Sequence, residues 1–307
     1  MLPPTVIYNV KHAMKFKQFI PTRSAFAHLR LVFSVFLLPV YLFAFSQASA
    51  VKTWAAVLVF FIWHFLAFPA SNGYNSYFDK DEDSIALLAK PPEVDLSLYY
   101  FSILLEVIAF LLGFIISWEF ACAVLIYGIM SKLYSHPATR LKKYPIISFL
   151  TVFIFQGCFI YYTTYTALTG TSLFDHWDLG LIIPGAISSC LIGASYPLTQ
   201  VYQHEEDSRR GDKTLSIVLG YKGSFIFSGV LFAAGIALSY WYWHLAGMML
   251  NFYFFIACAA PIFFFFNYWF YKVGQSTANA NFKNAMRMNF ISSGCMLIYF
   301  GVLAVFS

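Results

Sequence analysis

The chain has 307 residues, of which 60% are hydrophobic and 11% are charged, and its mean hydropathy is +0.68. Because an ordinary soluble domain carries about 25% charged residues, these values exclude a soluble globular enzyme and predict an all-α integral membrane protein. The net charge of +5 comes from basic residues in short loops between apolar segments, and this pattern gives no case for nucleic-acid binding.

The first thirty residues are basic and contain no acidic residue. They lack a short apolar stretch followed by a cleavage site of small residues, so a removable signal peptide is not expected. We predict that residues 1–28 form a basic cytoplasmic segment and that residues 29–306 form a helical bundle. The whole chain, 1–307, is then a single membrane domain.

Nine apolar segments are long enough to cross a bilayer core of about 30 Å, which takes about 20 residues per helix. They lie near residues 29–48, 53–76, 97–117, 119–135, 146–168, 179–201, 223–244, 250–271 and 287–306. All basic residues except Lys52 fall before the first segment or in alternate loops. The positive-inside rule therefore places the amino terminus and these loops in the cytoplasm.

A first polar segment, residues 72–83, follows the second predicted span. Asn75, Asp79 and Asp83 are spaced four apart, which would place an amide and two carboxylates on one face of a helix. Ionised groups at the end of a membrane span are costly and usually functional. Because Mg²⁺ prefers carboxylate oxygens together with substrate phosphates, this spacing predicts a magnesium site.

A second polar segment along the chain begins at Tyr134 and is cytoplasmic in the predicted topology. It contains Arg140 and Lys142. Another polar segment, residues 196–214, follows the sixth predicted span. If the helix continues past Pro197, then Gln200, Gln203 and Asp207 share one face, with His204 beside them. Carboxylates at two helix ends and a basic loop suit a polyanion bridged by Mg²⁺, and diphosphate fits that description.

These segments resemble the UbiA superfamily of intramembrane prenyltransferases. The resemblance rests on three patterns, which are Asn75-x-x-x-Asp79-x-x-x-Asp83, Tyr134-Ser followed by Lys and Arg, and Asp207-x-x-x-Gly211-x-x-Thr214. It covers nearly the whole chain, including the number of spans. It implies a UbiA-like bundle of nine transmembrane helices around a central cavity that is open to the cytoplasmic side.

The resemblance also implies roles for individual residues. Asn75, Asp79 and Asp83 would hold one Mg²⁺ ion, and Asp207 would hold part of a second metal site. Asp79, Asp83, Asp207 and Tyr134 would then be the catalytic residues. The remaining candidates for contact with the substrate are Lys90, Arg140, Lys142, Gln200, Gln203, His204, Arg210 and Lys213.

The chain departs from the family pattern in the second acidic motif. Gln203 and Gln200 stand where the family usually has aspartates, four and seven residues before Asp207. A glutamine oxygen can bind a cation but brings no negative charge. The second metal site is therefore expected to be weaker, or rebuilt with Glu206 or His204.

The leading hypothesis is a magnesium-dependent enzyme of the lipid bilayer that transfers a prenyl group from a prenyl diphosphate to a hydrophobic acceptor. A terpene cyclase on the same fold is the first alternative, because Gln200 and Gln203 alter the second motif. A non-catalytic lipid carrier is the second alternative. Glu106, inside the third span, is a candidate for taking up the proton released after coupling. The sequence names neither the acceptor, the prenyl chain length nor the oligomeric state.

Overall fold

The computed structural model describes residues 20–175 and 178–306. The predicted basic residues Lys11, Lys15 and Lys17, with most of the 1–28 segment, lie outside the described residues. All regular elements in the described part are helices. The α-helices are α1 (Arg23–Leu29), α2 (Leu38–Gln47), α3 (Thr53–Phe61), α4 (Phe68–Asp79), α5 (Leu96–Ile116), α6 (Trp118–Ser135), α7 (Pro145–Val152), α8 (Phe159–Thr169), α9 (Leu179–Ser195), α10 (His204–Arg210), α11 (Leu215–Leu245), α12 (Met249–Gln275) and α13 (Phe282–Phe306).

Seven helical stretches of the described chain are long and apolar enough to cross a membrane. They are Thr53–Asp79, Leu96–Ile116, Pro145–Thr169, Leu179–Thr199, Leu215–Leu245, Met249–Gln275 and Phe282–Phe306. A bent pair, Arg23–Phe36 with Leu38–Gln47, is an eighth if it counts as one span. The predicted span near 119–135 corresponds to the 18-residue helix α6, which is not among the seven. The protein is therefore a multi-pass helical membrane protein.

The first predicted span is broken, which the hydropathy pattern did not indicate. Helix α1 ends at Arg30, whose backbone is left-handed with φ 46°, and a 3₁₀ segment, Leu31–Phe36, leads into α2 at a bend of 43°. Pro39 lies in the first turn of α2, where its missing N–H costs no helical hydrogen bond. The break places Arg30 at the wall of a polar cavity inside the bundle.

Two spans contain a π-helical segment. One, Ile62–Ala67, joins α3 to α4, and the other, Phe153–Cys158, joins α7 to α8. Such segments often occur at functional sites, and Phe155 and Gln156 of the second line the polar cavity. Gly157 in the same segment has non-helical φ/ψ angles of −96° and −105°. It lies directly against α9, so it sets how closely these two spans approach.

The packed interior between the spans is aromatic. Trp63 stacks on Phe68 with ring centroids 5.6 Å apart, and Phe120 and Tyr127 meet the Trp63 ring edge-on. All four side chains are buried. Because lipid is as apolar as these rings, close packing rather than hydrophobic exclusion holds the helices together. This layer forms the floor beneath the polar end of α4.

Candidate active site

A cavity of about 230 Å³ lies where α4, α6 and α9 end, and both predicted acidic segments contribute to its wall. Seven of the residues predicted from the sequence line it. They are Asn75, Asp79, Tyr134, Lys142, Gln200, Gln203 and Asp207. The larger cavity of the bundle, about 330 Å³, has no charged side chain among the described residues that line it. The polar cavity is therefore the candidate active site.

Asp79 is the last residue of α4, and its side chain is only 4% exposed. Asn75, one turn earlier, donates from Nδ2 to Asp79 Oδ2 at 2.7 Å and to Ser135 Oγ at 3.0 Å. Both hydrogen bonds use the amide nitrogen, which leaves the Asn75 carbonyl oxygen available as a ligand. The four-residue spacing thus places these two side chains together, as predicted.

The prediction that Asp83 shares this helix face is wrong. Helix α4 ends at Asp79 because Lys80 adopts a left-handed backbone with φ 48°. Asp83 consequently lies beyond the helix, 60% exposed, where it pairs with Arg209 at 2.6 Å. Asp81 lines the cavity instead. The sequence places Asp81 in the same acidic run, but its role depends on where the helix stops.

The basic loop supplies cations directly to Asp79. Lys142 is buried, and its Nζ atom lies 2.7 Å from Asp79 Oδ1. Arg140, whose φ is 39°, lies with Nη1 3.6 Å from the same oxygen. Arg140 does not line the cavity, so Lys142 is the loop residue that faces a ligand there.

Asp212 holds Arg140 in place, and sequence reasoning missed this role. Arg140 donates to it through Nε at 3.0 Å and through Nη2 at 2.8 Å. Burial raises the pKa of Asp212, but hydrogen bonds from Arg140 and the charges of Lys142 and Arg140 outweigh burial, so this pKa lies below its ordinary value. The only available signal was that Asp212 lies within the polar segment that follows α9.

The second acidic segment is not one continuous helix, contrary to the prediction. Two 3₁₀ turns, Pro197–Thr199 and Val201–Gln203, separate α9 from α10. Gln200, Gln203 and Asp207 nevertheless all line the cavity. The Gln200 side-chain oxygen accepts a hydrogen bond from the Ser216 N–H at 3.3 Å, which ties this segment to the start of α11.

Asp207 titrates near neutrality. Burial is the largest cause, and the charges of Asp212, Asp81 and Asp79 add to it, whereas Lys142 opposes them. The pKa of Asp207 is thereby raised to about 7. The three neighbouring carboxylates whose charges reach Asp207 come from both polar segments, so the two segments lie close enough to act on one ligand.

Besides Asp83 and Arg140, four further predicted residues lie away from the described cavity wall. His204 hydrogen-bonds through Nε2 to Ser216 Oγ at 2.7 Å and stacks on Tyr221, so its predicted place beside Gln203 on the ligand face is wrong. Lys90 and Lys213 are exposed. Arg210 pairs with Asp81 and Glu206 and therefore acts on the cavity only through Asp81.

Glu206 joins the two acidic segments from outside the cavity. Its Oε1 atom accepts from Arg210 Nη2 at 2.5 Å and from the Glu82 N–H at 3.1 Å. The loop after α4 is thus fastened to α10. With Glu206 and His204 both engaged in this way, the expectation that either rebuilds the second metal site is not met by the geometry.

Tyr134 is at the cavity wall, where its hydroxyl hydrogen-bonds to the Tyr196 hydroxyl at 2.9 Å. Aromatic and aliphatic side chains complete the wall beside this pair, and they include Phe33, Tyr127, Met130, Val152 and Phe155. Glu106 pairs with Lys132 and lines a different, much smaller cavity. The wall of the active-site cavity therefore combines charged, polar and apolar side chains.

The donor atoms in the wall suit a magnesium ion. Carboxylates from Asp79, Asp81 and Asp207 and the carbonyl oxygen of Asn75 are all oxygen donors, which Mg²⁺ prefers. Within residues 20–175 and 178–306, no three His, Cys, Asp or Glu side chains are arranged to hold a metal ion by themselves. Oxygen atoms from a bound substrate would therefore have to complete the coordination.

Comparisons with known proteins agree with this arrangement. A sequence model of the UbiA prenyltransferase family matches residues 36–291. A search of curated proteins gives no match.

Three solved structures are similar in fold. A UbiA homolog from Archaeoglobus fulgidus bound to DMAPP and Mg²⁺ has a TM-score of 0.67 at 17% identity, covering 92% of this chain and 99% of that one. A UbiA homolog from Aeropyrum pernix K1 has a TM-score of 0.63 at 18% identity, covering 88% and 98%. A structure of digeranylgeranylglyceryl phosphate synthase has a TM-score of 0.59 at 18% identity, covering 92% and 98%. At these identities the likeness establishes the fold alone.

Proposed function

Because the chain belongs to the UbiA prenyltransferase family, we propose that it transfers a prenyl group from a prenyl diphosphate to a hydrophobic acceptor within the membrane, with Mg²⁺ as cofactor. The observation that carries the proposal is the cavity shared by both acidic segments and Lys142. The similar fold of a relative that binds DMAPP and Mg²⁺ supports the same substrate class.

Asn75, Asp79, Asp81 and Asp207 are the residues that would hold magnesium. When bound, Mg²⁺ neutralises the diphosphate and acts as a Lewis acid on the leaving group. Asp81 replaces Asp83 in this set because Asp83 is exposed and paired with Arg209. Gln203 adds an amide oxygen to the wall, whereas the Gln200 oxygen is used by the Ser216 N–H.

Lys142 is the residue best placed to receive the diphosphate. Its ammonium group lies in the cavity wall beside Asp79, and with Asp79 engaged as a metal ligand Lys142 would be free to donate to a phosphate oxygen. Arg140 stays behind Lys142, fixed by two hydrogen bonds to Asp212. Arg140 would therefore stabilise the negative charge of a bound diphosphate without having to move, and this is electrostatic preorganisation.

The apolar side chains of the cavity wall would contact the prenyl chain. Ionisation of the allylic C–O bond leaves a carbocation, which must be kept from water until the acceptor attacks. Phe33, Tyr127 and Phe155 line the same cavity, and aromatic rings stabilise cations through their π faces. The hydroxyl pair of Tyr134 and Tyr196 borders the reacting end.

The topology is part of the proposal. Counting α6 and the broken first segment as spans gives nine, all within a single membrane domain. The polar ends of α4 and α9 and the loop with Arg140 then face the cytoplasm together with the amino terminus, because the basic residues of the chain collect on that side.

The titration of Asp207 predicts how metal binding depends on pH. The pKa of this carboxyl, about 7, lies above the ordinary value, so the neutral form prevails below neutrality and cannot attract a cation. We expect the affinity for Mn²⁺, measured in the presence of geranyl thiodiphosphate, to increase as the pH rises from 6 to 8. Asp207→Asn should flatten that increase, and an unchanged slope in the variant would contradict this role.

The activity itself is tested by product analysis. Purified protein in nanodiscs would be incubated with Mg²⁺, a panel of allylic prenyl diphosphates and membrane lipid extract, followed by a diphosphate assay and mass spectrometry. The proposal predicts diphosphate release together with a prenylated lipid. A cyclised hydrocarbon or alcohol formed without acceptor would identify a cyclase instead, and binding without release would identify a carrier.

A further inference from the structure

Arg30 is a cation of the cavity wall that the function described above leaves without a role. It lies at the break in the first span, where α1 ends in a left-handed backbone conformation. Its side chain lines the polar cavity together with Phe33. Sequence reasoning used Arg30 only as one of the basic residues that set the membrane orientation.

The guanidinium of Arg30 has no carboxylate partner among the described residues. No Asp or Glu oxygen in that part of the chain lies within 4.0 Å of it, and its Nε atom is buried without a hydrogen-bond partner. By contrast, Lys142 is paired with Asp79 and Arg210 with Asp81. A cation that lines a cavity without a carboxylate in direct contact is poorly compensated, so this geometry favours an anionic ligand.

Two neighbours hold the Arg30 side chain in position. Asn72, on α4, accepts a long hydrogen bond of 3.5 Å from Arg30 Nη2 and donates at 3.3 Å to the carbonyl of Leu29. The Phe33 ring lies under the guanidinium at 5.4 Å, within the range of a cation–π contact. Asn72 precedes Asn75 by less than one turn, so α4 supports both Arg30 and the proposed metal site.

We infer that Arg30 binds the diphosphate of the prenyl substrate. Arg30 belongs to the first span, whereas Lys142 belongs to the basic loop after α6. This inference rests on the proposed function. Diphosphate is the anion that the reaction necessarily brings into this cavity, and a planar guanidinium can donate two parallel hydrogen bonds to its oxygens. The first span thus takes part in substrate binding, in addition to the two acidic segments.

The test compares binding of geranyl thiodiphosphate, in which sulfur replaces the bridging ester oxygen, to four forms of the full-length protein in the presence of Mg²⁺. Isothermal titration calorimetry would be run on the wild type, Arg30→Gln, Arg30→Lys and Arg209→Gln. Arg209 is the matched control for loss of one positive charge, because it is exposed and pairs with Asp83 outside the cavity.

We expect Arg30→Gln to raise Kd by about 10- to 100-fold, the loss typical of a hydrogen bond to a charged group. Arg30→Lys should raise Kd by a smaller factor, since it keeps the charge but not the paired donors. Should Arg30→Gln fail to fold, this lysine variant alone decides the question. Arg209→Gln should bind as the wild type does.

Equal affinity of the wild type and the folded Arg30 variants would overturn this inference and leave the proposed function intact, with Arg30 then open to an anionic acceptor. Failure of the wild type itself to bind geranyl thiodiphosphate would instead overturn the proposed function. The two failures are therefore distinguishable in one set of titrations.

Discussion

Asp79→Asn is expected to lower the rate of diphosphate release by on the order of 10²- to 10³-fold, the loss seen when one electrostatic stabiliser is removed from an active site. Asp79 is a buried carboxylate at the end of α4, and the side chains of Asn75 and Lys142 both contact it. The neutral amide keeps the shape of the side chain but removes the charge that attracts the metal ion. The rate would be measured with geranyl diphosphate and Mg²⁺ at pH 7.5.

Asp83→Asn is the matched control, because it makes the same chemical change four residues away. The exposed position of Asp83 and its pairing with Arg209 predict a rate within about twofold of the wild type, the scale of a surface ion pair. If Asp83→Asn were as inactive as Asp79→Asn, this control would contradict the exposed position of Asp83. Asp83 would then share the helix face of Asp79 in the active protein, as the sequence predicts.

Gly157→Ala is expected to cause the largest loss of stability. A Cβ atom at this position would lie 2.4 Å from Ser189 Cα and 2.8 Å from Ser189 N, and backbone atoms of α9 cannot move aside locally. The Ser189 hydroxyl also accepts a hydrogen bond from the Cys158 N–H at 2.9 Å, which the displacement would break. Overpacking of this kind costs about 3 kcal/mol.

The measurement is thermal unfolding in detergent, followed by intrinsic fluorescence. Gly294→Ala serves as the control, because no atom lies within 4 Å of an added Cβ there and alanine favours a helix over glycine. Its midpoint should equal or slightly exceed that of the wild type. An unchanged midpoint for Gly157→Ala would show that the α9 contact is looser than the structure indicates.

The sequence carries strong information about the membrane spans and weaker information about where their helices stop. Apolar runs of about 20 residues predict spans directly, and most predicted segments overlap the observed helices. Helix α4 ends at Asp79 because the backbone of Lys80 is left-handed, and the sequence gives no signal for this, since glycine is the residue usually found there. The error at Asp83 and the omission of Asp81 both follow from this one residue.

The long-range pairing in the site could not be predicted either. Arg140 and Asp212 lie 72 residues apart and meet because the loop after α6 lies beside the segment between α10 and α11. The break in the first span could not be predicted either. Hydropathy indicates which residues prefer lipid, but it does not indicate that the backbone turns at Arg30. Residue types in the sequence make Asn75, Asp79, Lys142 and Asp207 candidates, whereas Asp81, Asp212 and Arg30 become candidates only through their tertiary contacts.

The central claim is that the two acidic segments bind one metal-bound diphosphate in a shared cavity. A structure of the protein with Mn²⁺ and geranyl thiodiphosphate, with manganese located by anomalous scattering, tests it most directly. We expect manganese bound to Asp79 and the diphosphate lying between Asp79 and Asp207 against Lys142. A diphosphate bound outside this cavity, or held by only one of the two segments, would contradict it.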